Sequence, residues 1–244
     1  MSKFFGYFPT IPYDIAKTEI TTYQSPTNIF FRIGMIKEAL ENISSYYIYS
    51  IKDGEKPETL ADKVYGSAEA HWIILMANER LDGSYDWPLN YTDFNKYIAN
   101  KYRAAAGGGS LTDSQVIAWS QNATPTSNSI HHFEKVVDKT DTTTNTTTTF
   151  RYTVDYNKKA NTVPSGITYE YYLNLTDGDY QTYTVNGKTI QEKTYRNLVT
   201  IYDYEYQTNE DKREIKIIKP EYYSQIMEEL KKLASVKTFT RKLR

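Results

Sequence analysis

The stretch "YYIYSIKDGEKPETLADKVYGSAEAHWIILMANE", residues 46–79, decides the fold of the first part of the chain. It opens with aromatic and β-branched residues typical of a strand, which Asp53-Gly54 stops. Pro57 favours the first turn of a helix, where its missing N–H costs nothing, and Gly66 is a typical left-handed helix end. A second and more apolar helix follows. The stretch therefore predicts a compact strand–helix–helix module.

Helical periodicity predicts further helices on both sides of this module. Residues 28–44 place apolar side chains on one face, and residues 91–103 do the same with Thr92 as the expected cap. Pro220 opens a third amphipathic helix near the end of the chain. Residues 1–28 show no sustained period and predict an extended arm.

The middle of the chain changes to Thr, Tyr and short alternating runs. "IHHFEKVVD" (130–138) and "FRYTVDYN" (150–157) predict strands, and the Thr-rich tract between them predicts a mobile loop because it lacks an apolar face. Asn186-Gly187 between alternating runs predicts a type I′ hairpin turn. "VTIYDYEYQ" (199–207) predicts another strand, with Tyr at 202, 204 and 206 on one face.

These patterns predict an α+β fold with a small module, flanking helices, an extended N-terminal arm, a β-rich middle section and a C-terminal helix. "AAAGGGS" is the clearest break in the chain, since three consecutive glycines favour a flexible joint. The expected parts are an arm with a short helix (1–45), the module with its following helix (46–103), a linker (104–110), a β-rich section (111–206), and a C-terminal helix with a basic tail (207–244).

Composition limits the partners of the chain. The 29 basic and 30 acidic residues give a net charge of −1, which favours neither nucleic acid nor an anionic membrane. The absence of cysteine excludes disulfides and thiolate metal sites. No apolar run approaches the roughly 20 residues of a membrane span, and we expect no secretion signal. The 24 Tyr suit either exposed sheet faces or protein interfaces, and both interpretations stay open.

No residue pattern indicates catalysis. His131 and His132 are adjacent on a predicted strand, so we expect them to face opposite sides and not to share a metal ion. His71 lies in the apolar helix and is expected to be an ordinary core histidine. Asp177-Gly178-Asp179 predicts a turn rather than a calcium loop, because the further ligands are missing. We therefore expect no enzyme, no cofactor and no metal site.

The module resembles a LysM domain, the glycan-binding unit of many bacterial wall proteins. It departs from that family in its charged, Pro-containing turn and in the lack of a closing strand, since "LDGSYDWPLNYTDF" follows instead. In LysM domains the sugar lies against the first turn and the loop after the second helix. The resemblance implies contact positions at Asp53, Gly54, Glu55, Lys56, Asn78, Glu79, Arg80 and Leu81. We add Trp87 to these eight residues as the candidate interaction surface.

A second resemblance covers more of the chain. "DGEKPETLADKVYG", "HWIILMAN", "YDWPL" and "YIANKY", preceded by "FPTIPYD" and "NIFFRI", resemble the baseplate wedge family encoded by gene 53 of T-even-type contractile-tailed phages. "IHHFE" and "YEYQTNEDKREIKIIKPEYYSQIMEELKKL" also resemble that family. Residues 136–200 match no pattern of it, which is typical of a variable insertion.

The wedge resemblance implies a structural virion protein, made in the host bacterial cytoplasm, that joins neighbouring wedges into the inner baseplate ring. The implied partners are the central arm subunits, the sheath-initiating subunit, neighbouring wedges and, as a further candidate, the tail hub. The alternative is a module that binds peptidoglycan or chitin-type glycan through its LysM-like unit. We favour the first hypothesis, with the loops around Asp53 and Asn78 facing protein.

Overall fold

The computed structural model describes residues 6–10, 27–28, 43–80, 83, 86–155 and 166–235. It confirms a mixed α+β protein with a β-rich middle and a C-terminal helix. The strands are β1 (Tyr46–Ser50), β2 (Ile130–Asp141), β3 (Thr146–Asp155), β4 (Ile167–Thr168), β5 (Asp179–Val185), β6 (Lys188–Thr200) and β7 (Glu214–Ile218). The helices are α1 (Pro57–Tyr65), α2 (His71–Ala77), α3 (Tyr91–Ala106), α4 (Asp113–Ser120), α5 (Tyr169–Leu173), α6 (Ile201–Glu210) and α7 (Tyr223–Ser235).

The chain forms two compact units. The first contains residues 1–90 and 210–244, and the second contains residues 91–209. The five-part division expected from the sequence stays a prediction. Most of the predicted helix at 28–44, most of the predicted N-terminal arm and the basic tail lie outside the described residues, and Ile43–Ser45 form a 3-10 turn. From the arm, Thr10 forms an isolated antiparallel bridge with Thr27.

The strand–helix–helix stretch of the first unit is confirmed. Pro57 is the first residue of α1, and Gly66 ends that helix with a left-handed φ of +68°. A short 3-10 turn, Ala68–Ala70, precedes α2. Ile73 and Ile74 of α2 are fully buried, as the apolar sequence of this helix requires.

The first unit also contains a strand that was not predicted from the sequence. β7 pairs antiparallel with β1, with Tyr46 opposite Ile218 and Ser50 opposite Glu214. Ile215 and Ile217 are buried in the same core as α1 and α2. β1 is thus paired with a strand from far along the chain, and the LysM resemblance stays a prediction.

The predicted C-terminal helix is confirmed as α7, which follows a 3-10 turn that begins at Pro220. Leu230 and Ala234 are buried, and Leu230 joins the core of the first unit. Tyr223 stacks on Tyr65 of α1 with 5.4 Å between ring centres. This helix therefore completes the packing of the module.

The second unit is built on a five-stranded sheet with the strand order β4-β3-β2-β6-β5. All its pairs are antiparallel except β3–β4. The predicted hairpin turn is confirmed at Asn186-Gly187, where both residues have a positive φ, +50° and +76°. A type I′ turn needs positive φ at both positions, which Asn and Gly tolerate.

The prediction of a mobile Thr-rich loop is wrong. β2 continues through Asp141 and β3 begins at Thr146, so only 142–145 form the turn. The Asp141 carboxylate accepts bonds from the Thr143 and Thr144 amides at 2.8 and 3.3 Å. Threonine satisfies strand geometry without an apolar face because its β-branched chain is stiff and its hydroxyl finds partners across the strands.

The prediction of a strand at 199–207 is also wrong beyond residue 200, because α6 begins at Ile201. Thr200 caps this helix: its hydroxyl oxygen accepts the Asp203 amide at 3.1 Å. Tyr202 and Tyr206 are four residues apart on the helix and their rings lie nearly parallel, 6.3 Å apart. Alternating tyrosines are typical of a strand, but the Thr200 cap stabilises a helix at this position.

The predicted helix at 91–103 is confirmed, although it begins at Tyr91 and Thr92 lies inside it. It continues to Ala106 and is followed by α4, a helix that the sequence reasoning missed. α4 has a complete capping box, in which Thr112 and Gln115 each bond the other's backbone amide. The glycines therefore occupy a short turn between two helices.

Candidate docking site

The turn after β1 is held by one buried carboxylate. Glu55 accepts hydrogen bonds from the Tyr49 hydroxyl (2.9 Å), the Lys52 amide (3.3 Å) and the Lys63 ammonium (2.6 Å). Burial alone would raise the pKa of Glu55, but the bonds from Lys63 and Tyr49 outweigh it and the pKa is lowered. Glu55 therefore orders the turn as an ionised acceptor. Gly54 permits the turn with a φ of +73°.

Trp87 lies against the same turn. Its indole Nε1 donates to the Glu55 carbonyl oxygen at 2.6 Å, and the side chain is almost fully buried. The Arg80 guanidinium lies 5.4 Å from the centre of the indole ring, a cation–π distance. Trp87 therefore joins the first turn to the segment after α2.

The loop after α2 is fixed by Asn78. Its side-chain amide donates to the carbonyl oxygens of Ile74 and Lys216, both at 2.8 Å, and its Oδ1 accepts the Lys216 amide at 2.8 Å. A single side chain thus binds the end of α2 to both backbone groups of a β7 residue. Arg80 adds a bond to the carbonyl oxygen of Lys212.

Arg213, just before β7, also binds the turn after β1. Its guanidinium donates to both Glu210 carboxylate oxygens at 2.8 Å and to Asp53 Oδ1 at 3.3 Å. It also reaches the carbonyl oxygens of Ile51 and Leu89. Burial would lower the pKa of Arg213, but the bonds to Glu210 and Asp53 raise it. No local pattern could have found its link to the turn, because Ile51, Asp53 and Leu89 are distant from Arg213 in sequence.

The predicted interaction residues thus separate into two groups. The side chains of Glu55, Asn78, Arg80 and Trp87 are engaged inside the unit. The exposed residues that surround them are Asp53, Gly54, Lys56 and Glu79. Leu81 lies outside the described residues. We call these four exposed residues the rim. They lie on the two loops that the hydrogen bonds of Glu55 and Asn78 hold in place.

The histidine prediction needs correction. A register irregularity between Ile130 and His132 places the His131 ring against its neighbour rather than on the opposite face. The two Nδ1 atoms are 2.9 Å apart, and His131 stacks on Tyr204 at 3.7 Å between ring centres. His132 Nε2 lies 3.1 Å from Glu134 Oε1.

His71 and the Asp177-Gly178-Asp179 motif, both singled out in the sequence, form contacts within the chain. His71 is half-buried, and its Nδ1 lies 3.0 Å from the Ala68 carbonyl oxygen. Gly178 forms the predicted turn with a φ of +81°, and Asp177 pairs with Arg196. Within the described ranges, no group of three or more His, Cys, Asp or Glu side chains is placed to hold a metal ion. No helix in those ranges is long and apolar enough to cross a membrane.

Comparison with known proteins gives these loops a family context. Residues 4–117 match the family described as base plate wedge protein 53. The matched segment comprises 114 of the 244 residues. The match includes the rim and its supporting residues up to Trp87, and it extends through α3 into α4.

One curated wedge protein is similar over a shorter range. The baseplate wedge protein gp53 of Enterobacteria phage T4 is 32% identical over 59 residues. The aligned part is 24% of this chain and 30% of that protein, so the chain matches less than a third of its relative's length. Arg213 and β7, which complete the first unit, lie beyond the family match.

Proposed function

We propose that this protein is a structural subunit of a phage tail baseplate wedge. The observation that carries the proposal is the family match over residues 4–117. The T4 relative, whose name places it in the baseplate wedge, supports the same role. In this role the protein is a component of the virion tail, made in the host bacterial cytoplasm, and it acts by binding other baseplate proteins.

The geometry of the first unit suits docking to protein. The rim loops are ordered by Glu55 and Asn78 before any partner arrives, so little conformational entropy is lost on binding. Ile48, on the face of β1 that faces away from the helices, is 54% exposed and adds apolar area. A rigid polar rim and exposed apolar area on the same unit suit a protein interface.

The finer proposal is that the rim joins neighbouring wedges into the inner ring. The partners expected from the family are central arm subunits, the sheath-initiating subunit, adjacent wedges and, less directly, the tail hub. The rim carries both signs of charge, since Lys56 is basic and Asp53 and Glu79 are acidic. Such a pattern favours a specific orientation of the partner over general electrostatic attraction.

Glycan binding through the LysM-like unit is the competing hypothesis. Asn78 and Arg80 are two of the residues it would use, and the Asn78 amide and the Arg80 Nη2 bond within the unit. A sugar would therefore have to rely on the rim alone. Pull-down of the folded protein on chitin oligomers or peptidoglycan tests this hypothesis, and clear retention would favour it over docking.

The decisive experiment combines the purified chain with the other wedge proteins of the same phage. We expect co-purification in a wedge complex, and loss of wedge joining when Lys56→Glu and Glu79→Lys are combined. Glu228→Lys, an exposed charge change on α7, is the matched control and should leave assembly intact. Equal assembly by all variants would exclude the rim, and failure of the wild type to bind any wedge protein would exclude the structural role.

A further inference from the structure

The five-stranded sheet of the second unit ends in an open edge at β5. In the part of the chain that the structure describes, β5 pairs with β6 on one side only. Natural edge strands are usually protected by lysine, proline or a bulge. The β5 sequence, "DYQTYTV", has no lysine and no proline, and its single charge is at one end, on Asp179. This edge is therefore suited to accept another strand.

The hairpin geometry determines which backbone groups are free. A two-residue turn makes the flanking residues Val185 and Lys188 a hydrogen-bonded pair. Pairs with and without bonds then alternate along the strands. Thr184, opposite Thr189, is accordingly in a pair without hydrogen bonds.

An independent contact agrees with this alternation. The Thr189 carbonyl oxygen accepts the Thr142 amide at 3.0 Å, so it is directed toward β2 and away from β5. By the same alternation, Tyr180, Thr182 and Thr184 direct their N–H and C=O groups outward from the sheet. All three residues are exposed.

We propose that β5 pairs antiparallel with β5 of a second copy of this chain, with Thr182 opposite Thr182. In this register Tyr180 lies opposite Thr184 of the second copy, so every outward residue meets another outward residue. Each such pair exchanges both backbone hydrogen bonds. A shift of one residue would instead place free groups opposite groups that already bond to β6.

Side chains in this register are compatible as well. Thr182 meets its own copy, a favourable cross-strand pair, and Gln181 meets Tyr183. Asp179 lies opposite Val185, so no like charges face each other. This self-complementarity makes a second copy the occupant that we propose, rather than an unrelated extended peptide. The proposal does not depend on the wedge assignment, because it concerns residues outside the family match.

Cysteine crosslinking tests the register directly, since the chain has no cysteine. Residues in a hydrogen-bonded pair have Cα atoms about 5.5 Å apart, within the roughly 4.4–6.8 Å that a disulfide spans. Mild oxidation should therefore link Thr182→Cys into a covalent dimer. Thr184→Cys is the matched control and should stay monomeric, because position 184 faces position 180. Equal crosslinking of both variants would overturn the register.

Reversible association of the wild-type chain is the second test. Sedimentation should show a mass that doubles with concentration, and hydrogen exchange should slow with concentration at Tyr180, Thr182 and Thr184. Thr182→Lys places two ammonium groups opposite each other and should weaken the dimer about tenfold or more. Gln191→Lys adds the same charge on the same face of β6, one strand inward, and should dimerise normally.

Two results would overturn the proposal. One is a wild-type chain that stays monomeric at all concentrations, with circular dichroism confirming that it is folded. The other is protection of the same three amides only after another baseplate protein is added, which would assign the edge to that protein. Neither result would bear on the wedge role of the first unit.

Discussion

The two sheets in the described residues are both mainly antiparallel but are stabilised in different ways. The two-stranded β1–β7 sheet packs one face on α1 and α2, and Ile217 is fully buried there. In the five-stranded sheet, most of β3 is exposed and much of its surface is threonine. Two strands alone are marginal in water and need helices against them, whereas five strands can expose a polar face.

This difference in stabilisation predicts which substitutions destabilise each unit most. In the first unit, stability depends on apolar burial around the β1–β7 sheet. In the second, buried polar contacts are added to a smaller apolar cluster, as around Glu134. Substitutions in the two units should therefore differ in size and in their dependence on pH.

The largest effect is expected for Ile217→Ala. Removing a fully buried branched side chain leaves a cavity and should lower the free energy of unfolding of the first unit by about 2–5 kcal/mol. Urea unfolding followed by tryptophan fluorescence reports on it, because Trp72 and Trp87 lie in the same core. Ile48→Ala, on the exposed face of the same sheet, is the control and should cost far less. Equal costs would contradict the role of burial.

Glu134→Gln should have the next largest effect, in the second unit. Glu134 is bonded by Arg151 and Asn197, both at 2.9 Å, and lies beside His132. Breaking a buried charge-assisted network should cost about 1–3 kcal/mol. Hydrogen exchange of β2 and β6 amides measures the loss. Glu170→Gln, at an exposed site, should leave the exchange unchanged.

Glu134 should also make this unit sensitive to acid. Burial would raise its pKa, but the bonds from His132, Asn197 and Arg151 lower it to about 2. A carboxylate with a lowered folded pKa contributes stability fully above its unfolded pKa, and that contribution is lost as pH falls toward the folded pKa. The wild type should therefore lose stability between about pH 4.5 and 2, and Glu134→Gln should lose less. Parallel acid curves for both proteins would refute this assignment.

Gly66→Ala should have a smaller effect, on the first unit again. Gly66 has a φ of +68°, which a side chain makes unfavourable, so alanine should cost about 1 kcal/mol. Thermal unfolding measures it. Gly109→Ala is the control: no atom lies within 4 Å of the added Cβ and its φ is not positive, so it should be nearly neutral.

The smallest effect concerns the threonine surface. The Thr140 and Thr147 hydroxyls are 2.9 Å apart across β2 and β3. A double-mutant cycle with Thr140→Val and Thr147→Val should give a coupling of about 0.2–1 kcal/mol. No coupling would mean that β propensity alone orders this hairpin.

Local signals explain what the sequence predicted correctly. Pro57, Gly66 and the Asn186-Gly187 turn act through their own backbone preferences, so the module and the hairpin could be predicted. β7 was missed although Glu214–Ile218 alternates polar and β-branched residues, a strand signal, and its pairing with the distant β1 could not be predicted from that signal. Tyr202, Tyr204 and Tyr206 led to a wrong strand prediction, because an alternating pattern over five residues is also compatible with a capped helix.

The candidate site also combines features set by nearby residues with features set by contacts that are distant in sequence. Its turn and loop were predicted from residues close in sequence, and the rim remains a proposal. The internal roles of Asn78 and Trp87 could not be predicted, because their partners, Lys216 and the Glu55 carbonyl, are brought near only by the folded chain. Arg213 escaped prediction for the same reason.

The pairing of β1 with β7 also has a consequence for synthesis on the ribosome. At roughly 5–20 residues per second, Lys216 emerges on the order of ten seconds after Asn78. During that interval β1 has no partner and the Asn78 amide lacks two of its bonds. The first unit is therefore completed only after the second unit has been made, and the loop held by Asn78 gains its bonds to β7 only then.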